Sequence, residues 1–266
     1  MNKTLLKVTT RSGWLVWTIF LAIMLMYKVI IISMFDPDDI ESIMAMLEVM
    51  PSELVAGMGF AEIGATLTSF IAGYFYNFLA IMFPLIFCII MGNRLVAAHV
   101  DSGSMAYLLA TPNSRIKIIV TQAFFFLSSI VLLFVVISLA GILISESFFP
   151  GLLEIKPYLM LNLATTLIIF TISGICFFFS SLFNTTGYSL ALGGGIPVLF
   201  FVFNMVANMG DEFAWLGYFT VFSLFNPLDI ISGDFSILSS LVLPLIITLL
   251  LYGGSIIIFD RRSLPL

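Results

Sequence analysis

Long apolar runs alternate with shorter polar segments along the chain. Six runs stand out, with approximate bounds 14–35, 67–91, 118–145, 158–183, 188–208 and 237–259. A run of about 20 apolar residues forms a helix that is long enough to cross the hydrocarbon layer of a membrane. The pattern therefore predicts an all-α integral membrane protein in which residues 1–266 form a single domain with six transmembrane helices.

The first apolar run has one feature of a signal peptide, because Lys3, Lys7 and Arg11 precede it. It is about 22 residues long, however, and no small-residue cleavage pattern occurs before Asp36. We therefore interpret this run as a retained first transmembrane helix.

The composition excludes a soluble protein. Of the 266 residues, 61% are hydrophobic and 9% are charged, and the mean hydropathy is +1.18. This much apolar surface exceeds what one compact core could bury in water. The net charge of −5 does not indicate a partner of either sign, because the charges are sorted by side, and no nucleic-acid partner is predicted.

The distribution of basic residues orients the six helices. With six spans, the segments 1–13, 92–117, 184–187 and 260–266 share one side. Eight of the ten basic residues lie on that side: Lys3, Lys7, Arg11, Arg94, Arg115, Lys117, Arg261 and Arg262. The opposite side has a single base, Lys156. Since Lys and Arg collect in cytosolic loops, both termini and the 92–117 segment are predicted to be cytosolic.

The first segment on the outer side, 36–65, is long and amphipathic. Pro51 interrupts it, and apolar residues recur at helical spacing on both sides of that break. These apolar positions are Ile40, Ile43, Met44, Leu47, Leu54 and Val55. Such a segment would lie flat at the outer interface as a lid over the helix ends, or act as a gate that contacts substrate.

The last outer segment, 209–236, is apolar and aromatic but broken. Three sites interrupt it: Gly217, Asn226-Pro227 and Gly233. No remaining stretch is long enough to span a membrane, so we predict a re-entrant helical hairpin at about 212–235 with its turn buried in protein. Alternatively, its aromatic residues form an ordinary interfacial belt: Trp215, Tyr218 and Phe219.

Residues suited to catalysis are sparse. His99 is the one histidine, so the chain cannot supply the paired ligands of a membrane metalloprotease, and no phosphate-binding G-x-x-x-x-G-K-[ST] motif occurs. Cys88 and Cys176 fall in predicted spans, where thiols usually act as small apolar residues. We therefore predict no enzymatic activity, no metal site and no cofactor in this chain.

Lys28 is the one ionisable residue well inside a predicted span, and the spans offer no acidic partner for it. It lies about two turns from the outer end of the first helix, so its side chain can snorkel to the interface. A functional role is the alternative. The shortage of polar groups in the spans suggests that any transport is powered by another chain.

The segment HVDSGSMAYLLATPNSRIKI, residues 99–118, separates the second and third runs. Asp101 or Ser102 can cap a short helix at about 102–111, which Pro112 ends. A helix of about two turns is marginal in water by itself, so other contacts must hold it.

One face of this short helix is apolar. Met105, Leu108 and Leu109 share that face, and Gly103 lets a partner approach closely. Lipid headgroups could cover the face, but a groove on a soluble cytosolic protein would do so with more specificity. The pattern therefore favours a docking helix.

Residues 97–122 resemble the signature of permease subunits of type-2 ATP-binding-cassette (ABC-2) transporters. In that signature an acidic residue, Gly-Ser or Gly-Thr, a Leu-Leu pair and Pro-x-x-Arg follow the second membrane helix. The matching residues are Asp101, Gly103, Ser104, Leu108, Leu109, Pro112, Ser114 and Arg115. The six spans, the broken hairpin before the last span and the ending FDRRSLPL (259–266) also resemble the family.

The resemblance implies that the short helix is a coupling helix that rests in a cleft of a separate ATPase subunit. The implied contact residues are Asp101, Gly103, Ser104, Met105, Leu108, Leu109, Pro112 and Arg115. ATP and magnesium would bind to the ATPase, and the coupling helices would pass its rigid-body motion to the membrane helices. Two permease copies, identical or paralogous, would form the working unit in the plasma membrane of a bacterial cell.

The contact between permease copies has no recognisable motif. Since no strict G-x-x-x-G occurs, we expect broad apolar packing through the first and fifth spans. A cluster of helix-loosening residues lies in the fifth run: Gly193, Gly194, Gly195 and Pro197. It either allows close approach between subunits or is an irregularity with no role at the interface.

The substrate is predicted from the side chains available inside the membrane. The 28 Phe and 14 Met residues, with few ionisable groups, favour an apolar or amphipathic molecule such as a drug, a peptide or a lipid-like compound. The export direction is implied by the family resemblance. The alternatives are sodium extrusion by the same architecture, and a non-transporting immunity or structural membrane protein.

Overall fold

The computed structural model describes residues 2–37, 49–60, 66–110 and 114–263. The secondary structure within these ranges is helical, with no strand. Six of the helices are long and apolar enough to cross a membrane, and they are called the first to sixth spans below: Lys3–Met34, Leu67–Asp101, Arg115–Phe148, Ile155–Leu182, Thr186–Ala207 and Leu238–Arg261. The predicted all-α class and the six spans are confirmed, since each predicted run overlaps one of these helices.

The first span begins earlier than its apolar run because a polar side chain caps it. The Asn2 side chain accepts hydrogen bonds from the N–H groups of Thr4 and Leu5, at 3.0 and 3.1 Å. The Asn2 N–H donates to Thr121 Oγ1 of the third span at 2.9 Å. The helix therefore starts at Lys3 instead of near position 14, and its polar first turns pack beside the third span.

The fourth span lies at the centre of the bundle. Of its most apolar stretch 67% is buried, compared with 17% for the fifth span. The second and fourth spans approach closely at Gly92, where an added Cβ would lie 2.7 Å from Cys176 Cβ. The weakly buried fifth span leaves a wide apolar surface for lipid or for another protein.

The second span contains an irregular segment. Leu67–Ile71 is α-helical, Ala72–Leu79 is a π-helix, and Ala80–Leu95 is again α-helical. Phe75 and Tyr76, within the π-helix, are fully buried. Such turns are rare and frequently occur at functional sites, and no sequence pattern predicted this one.

A short helix, Ser52–Gly57, packs over the end of the bundle that is remote from both termini. An added Cβ at Gly57 would lie 3.2 Å from the Met205 carbonyl oxygen of the fifth span. Asn77 Nδ2, on the second span, donates to the Gly59 carbonyl oxygen at 2.7 Å. These contacts support a lid, and the gate role stays a prediction. Four of the predicted interfacial positions lie outside the described residues: Ile40, Ile43, Met44 and Leu47.

The segment before the sixth span forms two 3-10 helices, Asp211–Phe219 and Val221–Leu224, followed by the α-helix Pro227–Ser232. The chain bends by 94° between Asp211–Phe219 and Val221–Ser232. The bend agrees with a broken element, and its entry into the membrane stays a prediction. Large aromatic side chains of the first 3-10 helix are exposed, as in an interfacial belt: Trp215, Tyr218 and Phe219.

Two of the three predicted breaks in this segment are confirmed. The last helix begins at Pro227, where the Asn226 side chain accepts a hydrogen bond from a backbone N–H two residues on. It ends at Gly233, whose φ of +87° favours glycine. The predicted break at Gly217 is wrong, because Gly217 lies inside a 3-10 helix and the break falls at Thr220.

The fifth span is interrupted at Gly194, between Thr186–Gly193 and Gly195–Ala207. Cys176 Sγ, on the fourth span, donates to the Gly193 carbonyl oxygen at 3.1 Å. The predicted irregularity in the fifth span is confirmed, and its role between subunits stays a prediction.

Candidate functional site

The segment around the family-like signature, residues 97–122, contacts the C-terminal end of the sixth span. Arg115 Nη1 donates to the carbonyl oxygen of Arg262 at 2.6 Å and to that of Asp260 at 3.4 Å. Since Asn2 bonds to Thr121 near the start of the third span, the first turn lies at the same end. We call this the basic end of the bundle, made of residues 2–13, 94–110, 114–117, 184–187 and 260–263.

A short helix at the basic end, Ser104–Leu109, is called the linker helix here. It is shorter than the predicted helix at 102–111. Gly103 precedes it with a φ of +71°, and no side chain caps it. An added Cβ at Gly103 would meet nothing within 4 Å, so within this chain the glycine is needed for its left-handed backbone. The close approach of a partner stays a prediction.

Asp101 joins the end of the second span to the start of the fifth. Its Oδ2 accepts hydrogen bonds from the Thr186 N–H at 3.1 Å and from the Thr186 hydroxyl at 2.6 Å. A helix N-terminus favours such a negative group, because its first N–H groups have no partners within the helix. The prediction that Asp101 or Ser102 caps the linker helix is wrong, since Asp101 binds Thr186 and the Ser102 hydroxyl donates to the Ala98 carbonyl oxygen at 2.7 Å.

The linker helix turns its apolar face towards the spans. Met105 is 2% exposed and packs into the core of the chain. Leu108 and Leu109 are half-buried against the same core. The prediction that a partner covers Met105 is therefore wrong, because the chain itself covers that side chain.

Tyr107 is the large apolar side chain that the linker helix presents outward. It is 82% exposed. Residues two positions apart point to different sides of a helix, so burial of Met105 leaves Tyr107 outside. The sequence places Tyr107 on the side of the helix opposite Met105. The prediction considered only the apolar face of Met105, Leu108 and Leu109, and that face lies against the chain itself.

Arg262 caps the C-terminal end of the fourth span at the basic end. Its guanidinium donates to the carbonyl oxygen of Ser181, to that of Phe183 at 3.0 Å, and to Asn184 Oδ1. Carbonyl groups at the end of a helix lack partners within it, and a cation satisfies them. Partial burial and the nearby charge of Arg115 lower the pKa of Arg262.

Two serines of the signature make hydrogen bonds at the starts of helices. The Ser114 side chain accepts a hydrogen bond from the Lys117 N–H at 3.3 Å and caps the helix that begins at Arg115. Ser104 Oγ lies 3.0 Å from His99 Nδ1 and ties the linker helix to the second span. Pro112 lies outside the described residues.

Lys28 does not reach the membrane interface, so the predicted snorkelling is wrong. The side chain is fully buried, and Nζ lies 3.2 Å from Tyr76 Oη. Nζ also lies 4.1, 4.3 and 4.9 Å from the ring centroids of Phe75, Tyr76 and Tyr158. These rings stabilise the ammonium by cation–π contacts, since no acidic side chain in the described ranges pairs with it.

The Lys28 site joins four spans. The Tyr76 hydroxyl donates to Asn162 Oδ1 at 2.8 Å, and Asn162 Nδ2 donates to the Tyr158 carbonyl oxygen at 2.8 Å. Gly141 of the third span makes room for the site, because an added Cβ there would lie 2.0 Å from Tyr158 Oη. Residues from the first four spans therefore pack around one cation.

The described residues contain no group of three or more His, Cys, Asp and Glu side chains that could hold a metal ion. Cys88 and Cys176 are free thiols, both buried within spans. Their setting agrees with the predicted role as small apolar residues.

A polar cavity of about 420 Å³ lies at the end of the bundle opposite the basic end. Four amide side chains line it: Asn77, Asn204, Asn208 and Asn226. Its lining differs from the Phe- and Met-rich surface that the composition suggested. A second cavity, of about 260 Å³, lies at the basic end beside the linker helix.

Comparison with known proteins identifies the family of the chain. A family model described as "ABC-2 family transporter protein" matches residues 6–264. No curated protein and no solved structure matches the chain. The family match covers the six spans, the linker helix and the contact between Arg115 and Arg262.

Proposed function

Because the chain belongs to the ABC-2 family of transporter proteins, we propose that it is the membrane-spanning permease subunit of an ABC exporter. Its basic end faces the cytosol, as the excess of Lys and Arg there supports. A separate subunit binds ATP and magnesium and hydrolyses the nucleotide. The permease itself presents alternative cavities to the substrate.

The hydrogen bonds around the linker helix carry this proposal. The linker helix continues from the second span, and Asp101 just before it bonds to Thr186 of the fifth span. Beyond the linker helix, Arg115 begins the third span and bonds to Arg262, which bonds to the end of the fourth span. A displacement of the linker helix would therefore be transmitted to the second, third, fourth and fifth spans through these hydrogen bonds.

The linker helix acts as the coupling helix in this proposal. ATP binding draws two ATPase subunits together, and the linker helix follows the ATPase surface as a rigid body. Tyr107 is the principal apolar contact with the ATPase, because its side chain is 82% exposed while Met105 is buried. Leu108 and Leu109 support the contact from the half-buried side.

The proposed substrate is a hydrophobic or amphipathic molecule, such as a drug, a peptide or a lipid-like compound. The spans offer many aromatic and aliphatic contacts, and the one deeply buried charge, that of Lys28, is already surrounded by rings within the described chain. A small hydrophilic ion would lose its hydration without replacement ligands there. Sodium is the competing candidate, because amide oxygens line the 420 Å³ cavity.

The working unit is proposed to contain a second permease copy, identical or paralogous, in the plasma membrane of a bacterial cell. The fifth span supports a subunit contact, because only 17% of its most apolar stretch is buried. Exposed aliphatic side chains continue along it: Val198, Leu199 and Val202.

The proposal is tested by purification of the tagged chain from its native membrane, identification of copurifying proteins and reconstitution into vesicles. We expect an ATPase subunit to copurify, and its activity to rise with amphipathic peptides or hydrophobic drugs. Stimulation by sodium alone would reject the substrate class, and failure of any ATPase to copurify would reject the permease role.

A charge at Tyr107 tests the contact itself. Tyr107→Asp would bury an unpaired carboxylate against the ATPase, so we expect copurification and transport to be lost while membrane insertion is unchanged. Tyr218→Asp is the matched control, since Tyr218 is 87% exposed at the opposite end. Equal behaviour of the two variants would contradict docking through Tyr107.

A further inference from the structure

The 260 Å³ cavity at the basic end lies where three elements meet. The first turns of the first span form one wall, the end of the second span forms another, and the linker helix forms the third. Each element contributes lining residues, among them Val8 of the first span, Arg94 of the second span and Ser104 of the linker helix. The cavity shares no lining residue with the Lys28 site, whereas Tyr107 contributes to its wall.

The cavity combines apolar walls with a cationic group. Leu5, Val8, Met91 and Leu95 supply the walls, whereas the Arg94 guanidinium donates to Ser12 Oγ at 2.9 Å. None of the described lining residues is acidic, so the charge of Arg94 is not neutralised within the cavity. An arginine beside hydroxyl groups favours a phosphate, because its N–H groups match phosphate oxygens in geometry and charge.

The surroundings of the cavity favour a lipid phosphate over a free one. Along the first span, Val8, Trp14 and Leu15 are 61%, 57% and 57% exposed. Such side chains, and Trp above all, belong at the boundary between headgroups and acyl chains. Exposed bases near the cavity strengthen the attraction of an anionic membrane surface: Lys3, Lys7 and Arg11.

We propose that this cavity binds the headgroup of an anionic phospholipid from the leaflet at the basic end. Arg94 binds the phosphate, with the hydroxyl groups of Ser12 and Ser104 nearby, and the apolar walls hold the glycerol and the first carbons of the acyl chains. The site does not depend on the proposed export activity. Only the identity of the leaflet, the cytosolic one, follows from the proposed orientation.

The site links lipid composition to the linker helix. Ser104, Tyr107 and Leu108 of that helix line the cavity, so a lipid bound there contacts the helix and the first span together. A lipid that binds one position of the linker helix better than another shifts the balance between them. The anionic lipid content of the membrane would therefore adjust coupling without contacting the substrate.

The test uses the purified full chain in nanodiscs of phosphatidylcholine with a minor fraction of phosphatidylglycerol. Native mass spectrometry counts the phosphatidylglycerol molecules that stay bound. Arg94→Gln should lower this retention about ten-fold, the effect of one lost charge-assisted hydrogen bond. Arg11→Gln is the matched control, since Arg11 is exposed on the first span but does not line the cavity. It should lose only its share of the diffuse attraction and retain far more lipid than Arg94→Gln.

A second variant keeps the charge and fills the space. Val8→Trp places a bulky ring at the cavity wall, so lipid retention should fall although Arg94 is intact. Val8 is 61% exposed, so the substitution is compatible with folding, which unchanged circular dichroism would verify. Retention at the wild-type level in both Arg94→Gln and Val8→Trp would overturn the proposal.

Four further outcomes would also overturn it. Equal loss in Arg94→Gln and Arg11→Gln would show a diffuse charge effect instead of a site. Full competition by inorganic phosphate would identify a free-anion site, and equal retention of phosphatidylcholine would remove the role of headgroup charge. Complete displacement of the lipid by an added ATPase subunit would make the cavity part of a protein interface.

Discussion

Lys28 and Tyr76 form a buried contact between the first and second spans, with 3.2 Å between the ammonium nitrogen and the phenolic oxygen. The Tyr76 hydroxyl accepts a hydrogen bond from Lys28 Nζ and donates one to Asn162 Oδ1, so it acts both as acceptor and as donor. Burial makes each of these bonds expensive to lose, because no water replaces them. The contact therefore contributes to the stability of the bundle at a point where the second span is a π-helix.

Removal of the Tyr76 hydroxyl should destabilise the protein. In Tyr76→Phe the Asn162 oxygen and the Lys28 ammonium each lose a hydrogen bond inside the membrane, and we expect a loss of about 1–3 kcal/mol in the free energy of unfolding. Thermal unfolding in detergent measures the change. Tyr218→Phe, at an exposed hydroxyl, should leave the midpoint unchanged, and an unchanged midpoint in Tyr76→Phe would contradict the contact.

A methyl group at Gly141 should disrupt the same site from the third span. The added Cβ would lie 2.0 Å from Tyr158 Oη and 2.9 Å from Lys28 Cε, so Gly141→Ala should cost about 1–3 kcal/mol of stability. Tyr158→Phe removes the clashing oxygen, so the double variant should recover part of the loss. Gly253→Ala is the control, because an added Cβ there meets nothing within 4 Å.

The contact between Asp101 and Thr186 should matter for coupling more than for folding. Asp101 is exposed and Thr186 is half-buried, and the bonds join the second and fifth spans beside the linker helix. We expect Asp101→Ala and Thr186→Val each to reduce transport per ATP hydrolysed, and the double variant to reduce it no further. Additive losses would show that the two residues act separately, and Asp234→Ala, at the opposite end, should behave as wild type.

The fifth span should lie at the contact between permease copies. Single cysteines at Val198, Leu199 and Val202 occupy exposed positions of this span, in a background where Cys88 and Cys176 are replaced by alanine. Cross-linking in membranes should give dimers at some of these positions with helical spacing. A cysteine at Leu143, 68% exposed on the third span, is the control. Cross-linking at Leu143 alone would move the interface away from the fifth span.

The number and order of spans could be predicted because the signal is local. Each apolar run contains the information for its own helix, and the bilayer sets the length it needs. The start of the first span was missed by this criterion, because Lys3–Met34 begins in a polar stretch where Asn2 supplies a cap and Thr121 a tertiary contact. A local pattern does not include that partner.

The Lys28 site could not be predicted for the same reason. Tyr76 lies 48 positions from Lys28, and Asn162 lies a further 86 positions along the chain. Each aromatic residue alone reads as an ordinary member of an apolar run. Only the packing of the first four spans shows that three rings surround one ammonium.

The candidate site was predicted in part. The signature located the linker helix and the residues around it, and Asp101 and Arg115 proved to make long-range contacts. The apolar spacing of Met105, Leu108 and Leu109 identified an apolar face, but spacing cannot tell whether a face meets the same chain or another one. Burial of Met105 resolved that choice and left Tyr107 outside.

The π-helix Ala72–Leu79 gives the second span an adjustable length. A π-turn closes its hydrogen bond one residue later than an α-turn, so the segment holds about one residue more than the regular helix requires. Conversion of the segment to α-helix would add the rise of that residue, so it would rotate Ala80–Leu95 by about 100° about its axis and push it about 1.5 Å away from the first part of the span, while the hydrogen bonds on both sides stay intact. Tyr76, held by Lys28, would fix the first part of the second span, and the part beyond the π-helix would rotate and translate by one fixed step.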